Sequence, residues 1–216
     1  MSTTFPYDFI AIEGNIGAGK TTLCQKLADD FNGRLILEQF ADNPFLPFFY
    51  ENPERYAFTV ELFFMTERHK QLQEMLPQQE LFRQFTVADY FFLKTLLFAK
   101  NSLSEEEYRL FTRLFGILNN SFPKPDIIVY LHRSVEKLLA NIKKRGRSYE
   151  QDISPEYLRR IQDVYFEYFR TDNSIPILII NAEDLDYLHN PEDYDKIVEC
   201  LSKTYQPGLH QISFTV

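Results

Sequence analysis

The chain alternates between short apolar runs and longer stretches in which apolar residues recur every three or four positions. Five runs read as strands: residues 9–12 (FIAI), 35–38 (LILE), 85–89 (FTVAD), 126–132 (DIIVYLH) and 176–180 (PILII). Several are apolar at consecutive rather than alternate positions, which marks strands covered on both faces. Six stretches carry a helical pattern: residues 20–31, 53–76, 104–118, 134–144, 154–169 and 192–204. The first stops at Asn32-Gly33, residues that tolerate the left-handed turn closing a helix. The second spaces Phe58, Leu62, Met65, Leu72 and Leu76 along one face. The third opens on Ser104, a capping residue, followed by three glutamates suited to the positive end of the helix dipole. Strands alternating with helices predict an α/β fold with a parallel, doubly wound sheet. Such sheets bind ligands beyond the carboxyl ends of their strands, and the chemistry is sought there.

Between the first strand and the first helix lie Gly14, Asn15, Ile16, Gly17, Ala18, Gly19, Lys20, Thr21 and Thr22. They match GxxxxGK[ST] in the strand–loop–helix setting that this phosphate-binding loop requires. The glycines let backbone N–H groups turn inward around phosphate oxygens, and the helix adds the positive end of its dipole. Lys20 is placed to neutralise the β- and γ-phosphates of ATP, and Thr21 to ligate Mg²⁺. No guanine-reading NKxD is present, and Asp30-Phe31-Asn32-Gly33 fits DxxG only formally, at a helix end. The second strand ends in Glu38, a carboxylate beside the loop that can take a proton from an attacking hydroxyl.

Composition narrows the partners. Hydrophobic residues make up 44% and aromatics 16%, which excludes disorder and leaves rings to spare for a flat ligand. A net charge of −8 argues against nucleic-acid binding, which needs clustered cations. The only cysteines, Cys24 and Cys200, have no metal-ligand or redox spacing and suit a reducing compartment. His69, His132, His189 and His210 are scattered and read as structural. Neither a signal peptide nor a membrane span is expected, so the expected location is the cytoplasm. Without an internal repeat or linker, residues 1–216 read as one domain.

The segments IEGNIGAGKTT, LEQFADNP, FYENPERYAF and KRGRSYEQ, in this order and spacing, resemble the deoxynucleoside kinases over residues 8–185. The resemblance implies a three-layer P-loop fold, with a five-stranded sheet in the order 2-3-1-4-5 and a lid near residues 143–152. It implies transfer of the γ-phosphate of ATP, with Mg²⁺, to the 5′-hydroxyl of a deoxynucleoside. It assigns Glu38 as the catalytic base, and Tyr50 and Glu150 as partners of the sugar 3′-hydroxyl. Arg68 and Asp89 become a pair at the base edge, and Arg145 and Arg147 become lid arginines on the transferring phosphate. It also implies a homodimer joined through the long helices. The residues agree in part. Glu61 and Arg68 are two helical turns apart and so share a face, about 10 Å apart along the axis. Residues 133–147 are locally basic, with Arg133, Lys137, Lys143, Lys144, Arg145 and Arg147, as a phosphate site requires.

The chain departs from the family pattern in several places. Position 61 is glutamate where most relatives carry a base-reading glutamine. An ionised carboxylate only accepts hydrogen bonds, which matches the N1–H and 2-amino donors of guanine; a neutral Glu61 would serve adenine. Deoxyguanosine is therefore expected ahead of deoxyadenosine. The family's Glu-Arg-Ser at the third strand appears as Arg83-Gln84-Phe85, with Gln84 as a partial stand-in. The first lid arginine is Asn141, with Lys143 or Lys144 compensating. The stacking phenylalanine is Leu93, which leaves Phe92 or a ring within residues 40–64. Two rival functions remain: a nucleoside monophosphate kinase of the thymidylate type, which needs cations where Glu38 stands, and a nucleotide-binding regulatory protein without turnover.

Overall fold

In the computed structural model, which describes residues 4–38, 43–75, 82–119 and 122–214, six parallel strands form one sheet in the order β2-β3-β1-β4-β5-β6. They are β1 (Phe9–Glu13), β2 (Arg34–Ile36), β3 (Thr86–Ala88), β4 (Ile127–His132), β5 (Pro176–Asn181) and β6 (Gly208–Ile212). The α-helices among the described residues are α1 (Lys20–Asp30), α2 (Leu46–Glu51), α3 (Pro53–Met75), α4 (Lys94–Ser102), α5 (Glu105–Asn119), α6 (Val135–Arg145), α7 (Pro155–Thr171) and α8 (Pro191–Leu201). Leu76, the expected end of the second helix, and Phe40, the first of the possible stacking rings, lie outside the described residues.

β1, β4 and β5 are buried up to the last residue of β4 and β5, His132 and Asn181, because each face meets its own helical layer. Ile10 and Ile12 of β1, Val129 and Leu131 of β4, and Leu178 and Ile180 of β5 pack with Leu23, Leu27, Leu138 and Ile197 from α1, α6 and α8. The intervening Ala11, Ile128, Tyr130, Ile177 and Ile179 face Leu97, Ile161, Tyr165 and Phe169 of α4 and α7. Residues of α3, α4 and α5 extend this second layer over Phe9, Ile36 and Ala88. The period of two thus persists under an apparently continuous apolar run.

The five expected strands keep the expected order, and the sheet gains a sixth at the β5 edge. β6 escapes the pattern because its burial only alternates between half-covered and exposed, with Leu209 and Gln211 outward. Two helices were also unannounced. α2 is only six residues long with proline in its first turn, and α4 continues directly from the β3 loop as a mostly apolar segment. The caps follow the sequence. Ser134 and Ser154 accept from Lys137 N and Tyr157 N. Ser104 and Glu107 satisfy one another's backbone N–H groups as a capping box. Beyond α1, Asn32 adopts φ 53° and the Gly33 N–H returns to the Ala28 carbonyl at 2.9 Å. No helix among the described residues is long and apolar enough to cross a membrane.

Candidate active site

The carboxyl ends of β1, β2 and β3 open into one cavity. Lys20, Thr21, Glu38, Tyr50, Glu61, Arg68, Asp89, Arg145, Arg147 and Glu150 all line it. The predicted groups therefore converge, although they come from separate loops and helices.

The loop after β1 is held from behind. Gly14, Gly17 and Gly19 have φ of 152°, 81° and 96°, conformations that favour glycine. A Cβ on Gly17 would come within 2.8 Å of the Leu138 carbonyl, so α6 closes on the loop only because that position is bare. Asn141 Nδ2 donates to the Gly17 carbonyl at 2.8 Å. Arg133 Nε donates to the Ala18 carbonyl at 3.2 Å and Tyr187 Oη to the Gly19 carbonyl at 3.0 Å. Asn15 Nδ2 reaches the Leu158 carbonyl at 2.8 Å. Lys20 Nζ lies back on the carbonyls of Gly14 and Asn15, both at 2.9 Å. Burial and the nearby Lys94 ammonium bring Lys20 down to about 8.

Two expectations for the basic segment are revised here. Arg133 is not part of a phosphate-facing cluster: it is buried, and its guanidinium serves the carbonyls of Ala18, Glu183 and Leu185. Asn141, at the position of the first lid arginine, braces the loop, while Lys143 and Lys144, the expected substitutes, are exposed and line no part of the cavity.

Glu38 is the electrostatic centre of the acceptor side. Arg68 Nε and an Arg68 terminal nitrogen donate to its Oε1 at 2.8 and 2.6 Å, and Lys94 Nζ donates to its Oε2 at 2.6 Å. Burial would raise its pKa, but Lys94 and Arg68 outweigh burial and hold the carboxyl well below the usual range. Arg68 is fixed further by Thr95 Oγ1 at 3.1 Å and by the Phe64 ring, 4.9 Å from the guanidinium.

Asp89 is placed differently from the expectation. Its Oδ2 accepts from Thr21 Oγ1 at 2.6 Å and its Oδ1 from the Glu38 N–H at 2.7 Å. It is thus joined to the phosphate loop, and Arg68 is held by Glu38 and Thr95. Thr21 and Asp89 together make the hard-oxygen pair that P-loop proteins offer to Mg²⁺, so these residues fit that ion. The Glu-Arg-Ser comparison is revised for the same reason. Residues 83–85 precede β3 at the far end of the sheet, where Gln84 N–H bonds the Asn32 carbonyl at 3.2 Å and cannot support a metal.

Glu61 and Arg68 do share the inner face of α3, both only 2% exposed. Glu61 Oε2 has no hydrogen-bond partner among the described residues. Burial pushes this carboxyl up to about 7, against the pull of Arg68. Phe49, Phe64, Phe98 and Tyr157 provide the neighbouring flat walls. Phe92 does not: it stacks on Phe115 in the core at 4.9 Å between centroids. On the lid side, Arg145 Nε donates to Glu150 Oε2 at 3.0 Å and Arg147 to Glu150 Oε1 at 3.3 Å. Glu150 is buried on a short 3₁₀ turn, Ser148–Glu150.

Sequence reasoning missed Lys94, Thr95 and Phe98. All three stand on α4, whose polar members were hidden in an apolar run; a lysine and a threonine inside such a run were the available signal.

A triphosphate loop facing a carboxylate-centred pocket defines a P-loop phosphotransferase. The deoxynucleoside kinase family profile matches residues 10–205, and the chain belongs to that family of kinases. It is 35% identical to the deoxyguanosine kinase of Bacillus subtilis over 193 residues, covering 88% of this chain and 93% of that one. It is 35% identical to the deoxyadenosine kinase of Dictyostelium discoideum, covering 80% of this chain and 71% of that one. Among solved structures it superposes on the deoxyadenosine kinase of M. mycoides with dCMP and a flexible dCDP bound as products. The TM-score is 0.75 at 26% identity, with 89% of this chain and 97% of that one covered.

Proposed function

We propose that the protein transfers the γ-phosphate of ATP to the 5′-hydroxyl of a purine deoxynucleoside, deoxyguanosine ahead of deoxyadenosine. The observation that carries the purine choice is the buried Glu61, whose Oε2 has no hydrogen-bond partner among the described residues of the acceptor pocket. When ionised, that carboxylate accepts from both N1–H and the 2-amino group of guanine; adenine offers a donor beside an acceptor and pairs only with the neutral acid. An unpartnered oxygen on a buried carboxylate is costly, so a ligand that supplies donors there relieves the site.

In this reading residues 14–22 hold the phosphates of ATP, with Lys20 leaving the Gly14 and Asn15 carbonyls for the β- and γ-oxygens. Thr21 and Asp89 would hold Mg²⁺, which would neutralise charge on the phosphates. Glu38 aligns the 5′-hydroxyl. A carboxylate held so acidic is a weak proton acceptor, so it takes the proton late, as the new P–O bond forms. Tyr50 and Glu150 hold the 3′-hydroxyl. Arg145 and Arg147 exchange part of their hold on Glu150 for the transferring phosphate and exclude water. Phe64 and Phe98 flank the base. The protein acts in the cytoplasm as a homodimer joined through α3 and α5, and the half-exposed Leu110 and largely exposed Ile117 of α5 support that face.

Transfer of labelled phosphate from ATP to each of the four deoxynucleosides and to dTMP tests the reading. Deoxyguanosine is expected to give the highest kcat/KM; product on dTMP alone overturns it. Glu38→Gln is expected to lower kcat by about 10²–10⁴-fold with deoxynucleoside binding retained. Full activity in that variant removes Glu38 from its role.

A further inference from the structure

The carboxylate of Glu38 is met by two cations, and they hold it in different ways. Arg68 is committed on every side: two of its nitrogens to Glu38 Oε1, a third to Thr95, and its face to Phe64. The Lys94 side chain makes a single hydrogen bond, to Glu38 Oε2 at 2.6 Å, and its ammonium lies 5.4 Å from the centroid of the Phe98 ring. An ammonium has three donors, and the other two have no acceptor among the described residues. Lys94 is only 4% exposed, at the first turn of α4, and lines the same cavity as Lys20 and Thr21. Placing a buried ammonium there is costly, and its bond to Glu38 uses one of its three donors. Its ammonium sits on a flexible stem, in the field of the buried Glu13 carboxyl as well as Glu38, and faces the gap between the phosphate loop and the proton acceptor.

We propose that Lys94 is a second catalytic lysine of the transfer step, binding an oxygen of the phosphoryl group as it crosses from ATP to the 5′-oxygen. Lys20 holds that group from the donor side and Lys94 from the acceptor side. A lone pair of the 5′-oxygen forms the new bond to phosphorus. The bond from phosphorus to the β–γ bridging oxygen breaks, and its electron pair leaves with ADP. The hydroxyl proton passes to Glu38. Lys94 neither gains nor loses a proton; it neutralises charge on the moving oxygens. Its stem lets the ammonium slide from Glu38 Oε2 toward the phosphoryl group, a motion that the clamped Arg68 cannot make.

The proposal rests on the kinase reading above, and the test separates the two. Steady-state kinetics with ATP and deoxyguanosine are measured for wild type and for Lys94→Met, Lys94→Gln and Lys94→Arg, with melting temperature and ATP titration establishing that each variant is folded. Lys94→Gln can still donate a hydrogen bond to Glu38 but carries no charge. A role confined to holding Glu38 therefore predicts kcat for Lys94→Gln near that of wild type. A catalytic cation predicts kcat down about 10²–10³-fold in both neutral variants. KM for deoxyguanosine and ATP should stay within about threefold, and Lys94→Arg should recover at least about tenfold of the loss, since it restores the charge. Lys94→Gln with kcat within about threefold of wild type, or a loss confined to KM, overturns the role; these bounds are set against that expected loss. If Lys94→Met does not fold, the Gln and Arg pair decides alone. A wild type that phosphorylates no deoxynucleoside removes the kinase reading and Lys94's role together.

Discussion

Glu61 gives the sharpest test of how the pocket chooses a base. Burial raises its carboxyl to about 7, inside the range where kinases are assayed. Several groups set this balance. Arg68 on the same helix and the Ser102 hydroxyl and Lys94 on α4 favour the ionised form, and Glu38 beyond β2 opposes it. Tyr50 and Tyr157 lie close by as neutral rings. If guanine pairs with the carboxylate and adenine with the acid, kcat/KM for deoxyguanosine follows the ionised fraction. That for deoxyadenosine follows the neutral fraction. Their ratio then tracks the quotient of the two forms and rises about tenfold per pH unit, or about 100-fold between pH 6 and pH 8. The shift is equivalent to about 3 kcal/mol of altered discrimination. The assay is a competition between the two nucleosides at limiting ATP, with products separated at each pH. Glu61→Gln, which carries a fixed donor and acceptor, should flatten the dependence and move preference toward deoxyadenosine. A wild-type ratio that stays within about threefold across this range, or an equal slope in Glu61→Gln, refutes the reasoning.

The same residue predicts a stability effect. A carboxyl with a folded pKa near 7 and an ordinary value of 4.5 binds more protons folded than unfolded between those values, so its penalty on folding grows as pH rises through them. Glu61→Gln should stabilise the ligand-free protein by about 3 kcal/mol at pH 8, falling below about 1 kcal/mol by pH 5, in urea denaturation. No difference between the two pH values would contradict the raised pKa. Gly19→Ala should be damaging for two reasons: φ is 96°, and the added Cβ would fall 2.1 Å from Tyr187 Oη. A loss of at least about 1–3 kcal/mol is expected, together with loss of ATP binding by titration. A stability within about 0.5 kcal/mol of wild type would show that the loop can shift at no cost.

The donor half of the site was legible because its constraint is local. Gly14 to Thr21 must turn tightly after a strand and open a helix, so spacing alone reveals it. Glu38 was legible from its place just beyond a short strand, and Glu61 with Arg68 from helical periodicity. The remainder depended on which elements meet. Asp89 was correctly sought at the end of β3, but nothing in FTVAD says that its carboxylate turns to Thr21 and leaves Arg68 to Glu38 and Thr95. Lys94 was invisible because hydrophobicity marks α4 as buried while the partner that makes burial of an ammonium tolerable lies 56 positions earlier in the chain. Arg133 was misplaced for the complementary reason: a cation counted within a basic stretch is spent on backbone carbonyls. β6 failed because an edge strand needs only one partner and half a face.

The bracing of the phosphate loop bears on what the enzyme can recognise in its donor. With the carbonyls of Gly17, Ala18 and Gly19 engaged from behind by Asn141, Arg133 and Tyr187, the loop is a mould cast before its contents arrive. A mould made of main-chain amides reads the shape and charge of a triphosphate and is blind to the base attached to it. Choice among ATP, GTP and other donors must therefore be exercised at a distance from the chemistry. Changes that broaden or narrow that choice can accumulate there without disturbing the step that moves the phosphate.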